Sequence, residues 1–147
     1  HEVTRPGILW TMQLLVGAII LALDQFTKWR LFSHSLLNGG IGIGLLRDQS
    51  SIVNWLVTSV SIGVLIWVIR SWKRWTSVPR LGGALVLAGL VSNGIDRLRF
   101  GAVVDPLSVG SWFPQFNLAD CAIVVGLVLL LLKARFISNW ADSQKAT

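Results

Sequence analysis

Four apolar runs, each closed by charged or aromatic residues, restrict what this chain can fold into more than any other feature. They cover approximately residues 8–23, 52–69, 81–95 and 118–132. Each approaches the roughly 20 apolar residues that carry an α-helix across a bilayer. In hydrocarbon every backbone N–H and C=O must find a partner inside the protein, so runs of this kind become helices. With 53% hydrophobic and 14% charged residues and a mean hydropathy of +0.65, the chain is too apolar for an ordinary soluble domain. The expected fold is an all-α membrane protein: a single membrane domain over residues 1–147, four transmembrane helices, both termini cytoplasmic, and short extracytoplasmic connections.

The orientation follows from where the charges fall. Four spans place both termini and the connection between the second and third runs on one side, with Arg5, Arg70, Lys73, Arg74, Arg80, Lys133, Arg135 and Lys145 against Glu2 and Asp142. The other side balances Lys28, Arg30, Arg47, Arg97 and Arg99 against Asp24, Asp48, Asp96, Asp105 and Asp120. The whole net charge of +6 therefore lies on the first side, which the positive-inside rule makes cytoplasmic. Trp29, Trp55 and Trp112 fall near the outer interface, and Trp10, Trp72, Trp75 and Trp140 near the inner one, as an aromatic belt requires. The basic residues cluster at the ends of apolar runs and form no stripe interleaved with stacking aromatics, which argues against a nucleic-acid partner.

Several features exclude other classes. A single cysteine rules out an internal disulfide framework, and no paired Cys/His spacing points to zinc or haem, so neither cofactor nor metal is expected. The chain opens at His1 rather than Met, and the first few residues are left out of the fold reasoning. The first apolar run is not expected to be a cleavable signal, because it ends in Asp-Gln-Phe-Thr-Lys and not at small residues. The Gly-rich stretch 38–44 follows no strand of a nucleotide-binding unit and lacks a Gly-Lys-Ser/Thr ending, so it reads as a re-entrant or extended segment. Gly82, Gly83, Ala84, Ala88 and Gly89 recur along the third run at helical spacing and let a neighbouring helix approach closely.

The acidic residues then need a reason. Asp96, Asp105 and Asp120, among seven acids in all, gather within residues 92–120, between two apolar runs where lipid does not ask for them. Two carboxylates held close in a poorly hydrated site cannot both ionise easily, so one keeps a proton while the other is charged. An aspartic peptidase needs that state: the anion takes a proton from the attacking water, and the acid donates to the developing oxyanion and then to the leaving amine. The best pair is Asp105, in an irregular connection, and Asp120, at the start of a helix, because the turn-rich residues 106–114 can fold one back onto the other. Asn93 and Arg97 share a helix face four residues apart and aim an amide and a guanidinium at one place. Asp96 is expected to serve as a charge partner for Arg97 or Arg99.

These residues resemble the lipoprotein signal peptidases, the signal peptidase II aspartic peptidases of bacterial membranes. Asp24-Gln25-Phe26-Thr27-Lys28 is similar to the family's Asp-x-x-Thr-Lys, and Asn38-Gly39-Gly40 to its Asn-x-Gly. Asn93-Gly94-Ile95-Asp96-Arg97, followed by Gly101 and Val104-Asp105, resembles its Asn-x-x-Asp-Arg with downstream Gly and Val-Asp, and Phe116-Asn117-Leu118-Ala119-Asp120 its Phe-Asn-x-Ala-Asp. The resemblance implies that Asp105 and Asp120 form the catalytic dyad and that Asn38, Asn93, Arg97, Asn117, Asp24 and Lys28 shape the site or bind substrate. The implied substrate is a diacylglyceryl-modified prolipoprotein, cut just before its lipid-modified cysteine. The implied place is the bacterial cytoplasmic membrane, with membrane lipid around the protein and the active site near the extracytoplasmic face; a monomer is expected, because a site that admits substrate from lipid gains nothing obvious from a partner subunit.

The chain also departs from the family's pattern. Only residues 31–37 separate Arg30 from Asn38, where relatives carry a longer segment that forms a small sheet-like cradle, so substrate clamping is expected to differ. Asn-x-Gly-Ala-Ala-Phe becomes Asn38-Gly39-Gly40-Ile41-Gly42-Ile43, Ser92 replaces the usual Gly, and Pro106 follows Asp105 where Phe is usual. The connection from Asp105 to Asp120 looks shortened. Two other classes compete. A Cys121/His34 hydrolase fares poorly, because Asp120 next to the thiol disfavours its thiolate. A divergent paralogue could use the carboxylates as ligand or ion sites, yet charges near span centres and repeat symmetry, the marks of a transporter, are not visible.

Overall fold

The computed structural model describes residues 6–38 and 51–145 of the chain. The Gly-rich residues 39–44, with Arg5, Arg47 and Asp48, lie outside the described residues, as do the side chains of Asn38, Lys133, Arg135, Trp140 and Lys145. Four helices follow in order: α1 (Pro6–Arg30), α2 (Ser51–Ser71), α3 (Ser77–Phe100) and α4 (Leu118–Lys145). Three of them are long and apolar enough to cross a membrane, over Trp10–Arg30, Trp55–Arg74 and Ser77–Phe100, and α4 adds the shorter apolar stretch Leu118–Leu132.

α3 is the hub, packed on one side against α1 and on another against α4. Lipid chains are as apolar as leucine, so such helices are held by close packing and polar contacts rather than by escape from water. The small residues of α3 supply the first. A Cβ on Gly82 would sit 2.7 Å from the carbonyl oxygen of Gly126 on α4, and one on Gly89 would sit 2.5 Å from that of Ala119. The two backbones therefore meet at closer range than any larger residue allows. Ala84 plays the same part towards Gly17 of α1. α2 joins at its C-terminal end, where Val68 is fully buried and the indole of Trp75 lies over Gly83, its ring centroid 5.3 Å from that of Trp67. Elsewhere α2 presents Trp55, Val60 and Ile69 outward, a surface suited to lipid.

The ends of the helices build the site. α3 stops at Gly101, whose φ of 68° is left-handed and whose N–H donates to the Arg97 carbonyl at 2.9 Å. The chain then turns into a short strand, β2 (Val103–Asp105), which pairs antiparallel with β1 (Leu36–Asn38), placing Leu36 opposite Asp105 and Asn38 opposite Val103. The expected all-α fold thus carries a two-stranded sheet at one end, formed even though so few residues separate α1 from Asn38. Beyond β2, Leu107 and Phe116 exchange both backbone hydrogen bonds, at 2.9 and 3.0 Å, closing the intervening residues into a loop that returns to α4. Gln115 accepts from the Leu36 N–H at 3.1 Å and ties that loop to β1.

α1 runs seven residues beyond the apolar stretch that ends at Leu23, reaching Arg30. Charge marks the end of an apolar run but not of a helix. Asp24 and Lys28 sit one turn apart and form an ion pair at 2.7 Å within α1, so helix and burial both continue past them.

Candidate active site

Asn117 precedes the first turn of α4 and caps it, accepting the Asp120 N–H at 2.8 Å with its side-chain oxygen. Its amide nitrogen donates in the other direction, to Asp105 Oδ1 at 2.7 Å and to the Val104 carbonyl at 3.4 Å. One fully buried amide thus joins the end of β2 to the start of α4 and brings Asp105 and Asp120 to its two ends. Asp120 receives a second tether from α3, where Asn93 Nδ2 donates to its Oδ1 at 3.1 Å. Its Oδ2 is buried and has no hydrogen-bond partner among the described residues. Arg97, half-buried and one turn beyond Asn93, lies close enough for its charge to act on Asp120, Asp96 and Asp105.

Behind this pair lies a second charged group, deeper in the helix bundle. Lys28 of α1 is only 3% exposed and directs its ammonium to Asp24 Oδ2 at 2.7 Å, Asp96 Oδ2 at 2.7 Å and Asn93 Oδ1 at 2.9 Å. An ammonium has three N–H bonds, and all three are used. Asp24 and Asp96 likewise have both oxygens engaged. Asp24 Oδ1 accepts the Ala119 N–H at 2.9 Å, and Asp24 Oδ2 also accepts the Ser92 hydroxyl at 2.6 Å. Asp96 Oδ1 accepts from Gln25 at 3.0 Å, and Asp96 Oδ2 from the Val104 N–H at 3.1 Å. An ion cluster this buried persists only because each charge is paired and each carboxylate oxygen is hydrogen-bonded. Asp96 therefore has its short ion pair with Lys28 of α1, where spacing along α3 alone pointed to Arg97 or Arg99.

Residues 16–136 match the family described as signal peptidase (SPase) II. The chain belongs to the signal peptidase II family. Its relatives include the lipoprotein signal peptidase of Synechococcus sp., 39% identical over 82% of this chain and 92% of that protein. The lipoprotein signal peptidase of Shouchella clausii is 34% identical over 82% of this chain and 91% of its own length. Among solved structures, a bacterial membrane enzyme determined by the in meso method at 2.3 Å superposes with a TM-score of 0.70. That likeness covers 93% of this chain and 92% of the other at 22% identity, and it speaks for the fold. Membership of the signal peptidase II family makes the chain a bacterial membrane peptidase, in keeping with its apolar helices.

The residues singled out in the sequence divide into two groups by geometry. Asp105, Asp120, Asn93, Asn117 and Arg97 converge where β2, α3 and α4 meet. Asp24 and Lys28 are enclosed between helices and are linked by hydrogen bonds to Asp120 through Ala119 and Asn93. Asn38 closes the short sheet opposite Val103. Cys121 and His34 are both exposed, on α4 and on the short turn after α1. A cavity of about 350 Å³ opens beside the ion cluster, between Trp29, Phe32 and Phe100, but neither Asp105 nor Asp120 lines it. Sequence reasoning missed Gln25 and Ser92 as parts of the network. The signal was present as spacing, since Ser92 and Asp96 share a face of α3 just as Asp24 and Lys28 share a face of α1.

Proposed function

We propose that this chain is an aspartic endopeptidase that removes the signal peptide of diacylglyceryl-modified prolipoproteins, cutting just before the lipid-modified cysteine, with Asp105 and Asp120 as its dyad. One observation carries the assignment of roles. Both oxygens of Asp24 and of Asp96 are occupied, whereas Asp120 keeps Oδ2 buried with no hydrogen-bond partner among the described residues. A buried carboxylate oxygen without a partner is costly unless it is meant for water or substrate. The names of the relatives, all lipoprotein signal peptidases, supply the substrate class.

In the proposed reaction one carboxylate of the dyad is ionised and the other protonated. The anion accepts a proton from water as the water oxygen attacks the scissile carbonyl carbon, and the acid donates its proton to the carbonyl oxygen. The tetrahedral intermediate collapses as a proton passes to the amide nitrogen, the C–N bond breaks, and the dyad returns to its starting protonation. Asn117 and Asn93 hold the two carboxylates, and the Arg97 charge favours keeping one of them ionised. Asp24 and Lys28 act from behind by fixing Asn93 and the first turn of α4. Asn38, at the end of β1, would contribute to substrate binding from the sheet.

The proposed setting is a single membrane domain with four spans, α4 crossing through Leu118–Leu132, both termini cytoplasmic, and the site near the outer face of the cytoplasmic membrane. Outward-facing Trp29, Trp55 and Trp112 suit the outer interface, at 70%, 72% and 79% exposed. An apolar signal segment and two acyl chains can then arrive sideways from lipid while the scissile bond stops at carboxylate height. A monomer suffices for such entry.

The test is cleavage in lipid-doped micelles of one prolipoprotein prepared with and without its diacylglyceryl group. Cleavage only of the modified form, with a product mass beginning at the modified cysteine, is the expected result. No cleavage of either form, together with proton or cation flux in liposomes, would overturn the reading in favour of an ion site.

A further inference from the structure

Serines inside apolar helices usually turn the hydroxyl back to the carbonyl one turn earlier. Ser59 and Ser61 of α2 do so, reaching the Trp55 and Val57 carbonyls at 2.9 and 2.8 Å. Ser92 of α3 does not. It is fully buried, and its hydroxyl reaches across to α1, donating to Asp24 Oδ2 at 2.6 Å while accepting from Gln25 Nε2 at 2.8 Å. A hydroxyl has one proton to give, so the Gln25 donor leaves the Ser92 hydrogen directed at Asp24.

Asp24 is the point from which both indirect restraints on Asp120 start. Its Oδ1 holds the N–H of Ala119, the residue before Asp120, at 2.9 Å. Its Oδ2 shares the Lys28 ammonium, which holds Asn93 Oδ1 at 2.9 Å, and Asn93 in turn holds Asp120 Oδ1 at 3.1 Å. The rotation of the Asp24 carboxylate therefore sets the placement of the first turn of α4 and, through Lys28, of the Asn93 amide. Oδ2 has two partners, Lys28 on its own helix and Ser92, which alone ties it to α3.

We propose that Ser92 is a positioning residue for the peptidase reaction: its hydroxyl locks the Asp24 carboxylate between α1 and α3 and thereby holds Asp120 in register with Asp105. This rests on the dyad reading above. Loss of the hydroxyl frees the carboxylate to turn with Lys28, and a displacement of reacting groups on the order of 1 Å costs about a hundredfold in rate.

The test compares Ser92→Ala, Ser92→Cys and Ser92→Thr with the unaltered enzyme on a lipid-modified prolipoprotein, with kcat expressed per folded, monodisperse molecule. Ala removes the hydroxyl, Cys keeps the volume with a weak donor, and Thr restores the hydroxyl. Expected are a fall in kcat of roughly tenfold to a hundredfold in Ala and Cys with KM within about twofold, and recovery in Thr to within about threefold. A merely structural role would lower the folded yield and leave kcat per folded molecule unchanged. Unchanged kcat in Ala or Cys, or a loss confined to KM, overturns the proposal. Failure of the dyad reading looks different: the unaltered enzyme would not cleave, or Asp105→Asn and Asp120→Asn would.

Discussion

Lys28 lies buried between two carboxylates, and that arrangement decides what each charged residue can do. Replacing it with Met would remove the ammonium that Asp24 and Asp96 share. Removing one member of a buried ion group typically costs about 3–5 kcal/mol, so Lys28→Met is expected to lower the thermal midpoint in detergent sharply; an unchanged midpoint would mean the pairs are weak. The dyad itself makes a different kind of claim. If one proton is shared between Asp105 and Asp120, the cleavage rate falls at low pH, when both are protonated, and at high pH, when both are ionised. A bell-shaped kcat/KM profile is expected from rates measured across the pH range, and a flat one would argue against a two-carboxylate site. At this scale much was legible in the sequence. The Asn93/Arg97 spacing and the turn-rich stretch before Asn117 pointed to a common site, and the structure brings those residues together with both aspartates. The partner of Asp96 was not legible, because Lys28 meets it across two helices and inter-helix register leaves no trace in local spacing.

The helices announced themselves by their apolar runs, whereas the elements that complete the site did not. β1 and β2 are three residues each, too short for alternating hydrophobicity to register, and they exist because the Gly101 turn and the loop closed by Leu107 and Phe116 hold them side by side. The length of α1 was hidden for another reason, since Asp24 and Lys28 look like the end of an apolar run and are in fact a buried pair within it. The small residues of α3 were read correctly as a packing seam, and the seam reaches the candidate active site because Gly89 abuts the carbonyl of Ala119, next to Asp120. Gly89→Val is therefore expected to push α4 away, with the loss of a few kcal/mol typical of overpacking and a larger proportional loss of activity. Gly63→Ala on α2, where a Cβ meets nothing within 4 Å, is the control and is expected to change neither thermal midpoint nor cleavage measurably.

Taken whole, the molecule is a membrane bundle with Asp24, Asp96, Asp105 and Asp120 collected at one end and its excess positive charge assigned by sequence to the other. If the positive end is cytoplasmic, single cysteines in a Cys121→Ala background report it directly. In intact cells, Val109→Cys is expected to react with a membrane-impermeant maleimide from outside and Arg74→Cys only after the membrane is opened; the reverse pattern would invert the topology. Whichever way the bundle faces, the proposed reaction depends on whether the two aspartates do the chemistry. The most direct measurement is cleavage of a diacylglyceryl-modified prolipoprotein by purified Asp105→Asn and Asp120→Asn variants, each first shown to keep the size-exclusion profile and thermal midpoint of the unaltered enzyme. A loss of at least about a thousandfold is expected in both, and near-normal cleavage by either folded variant would contradict the dyad assignment.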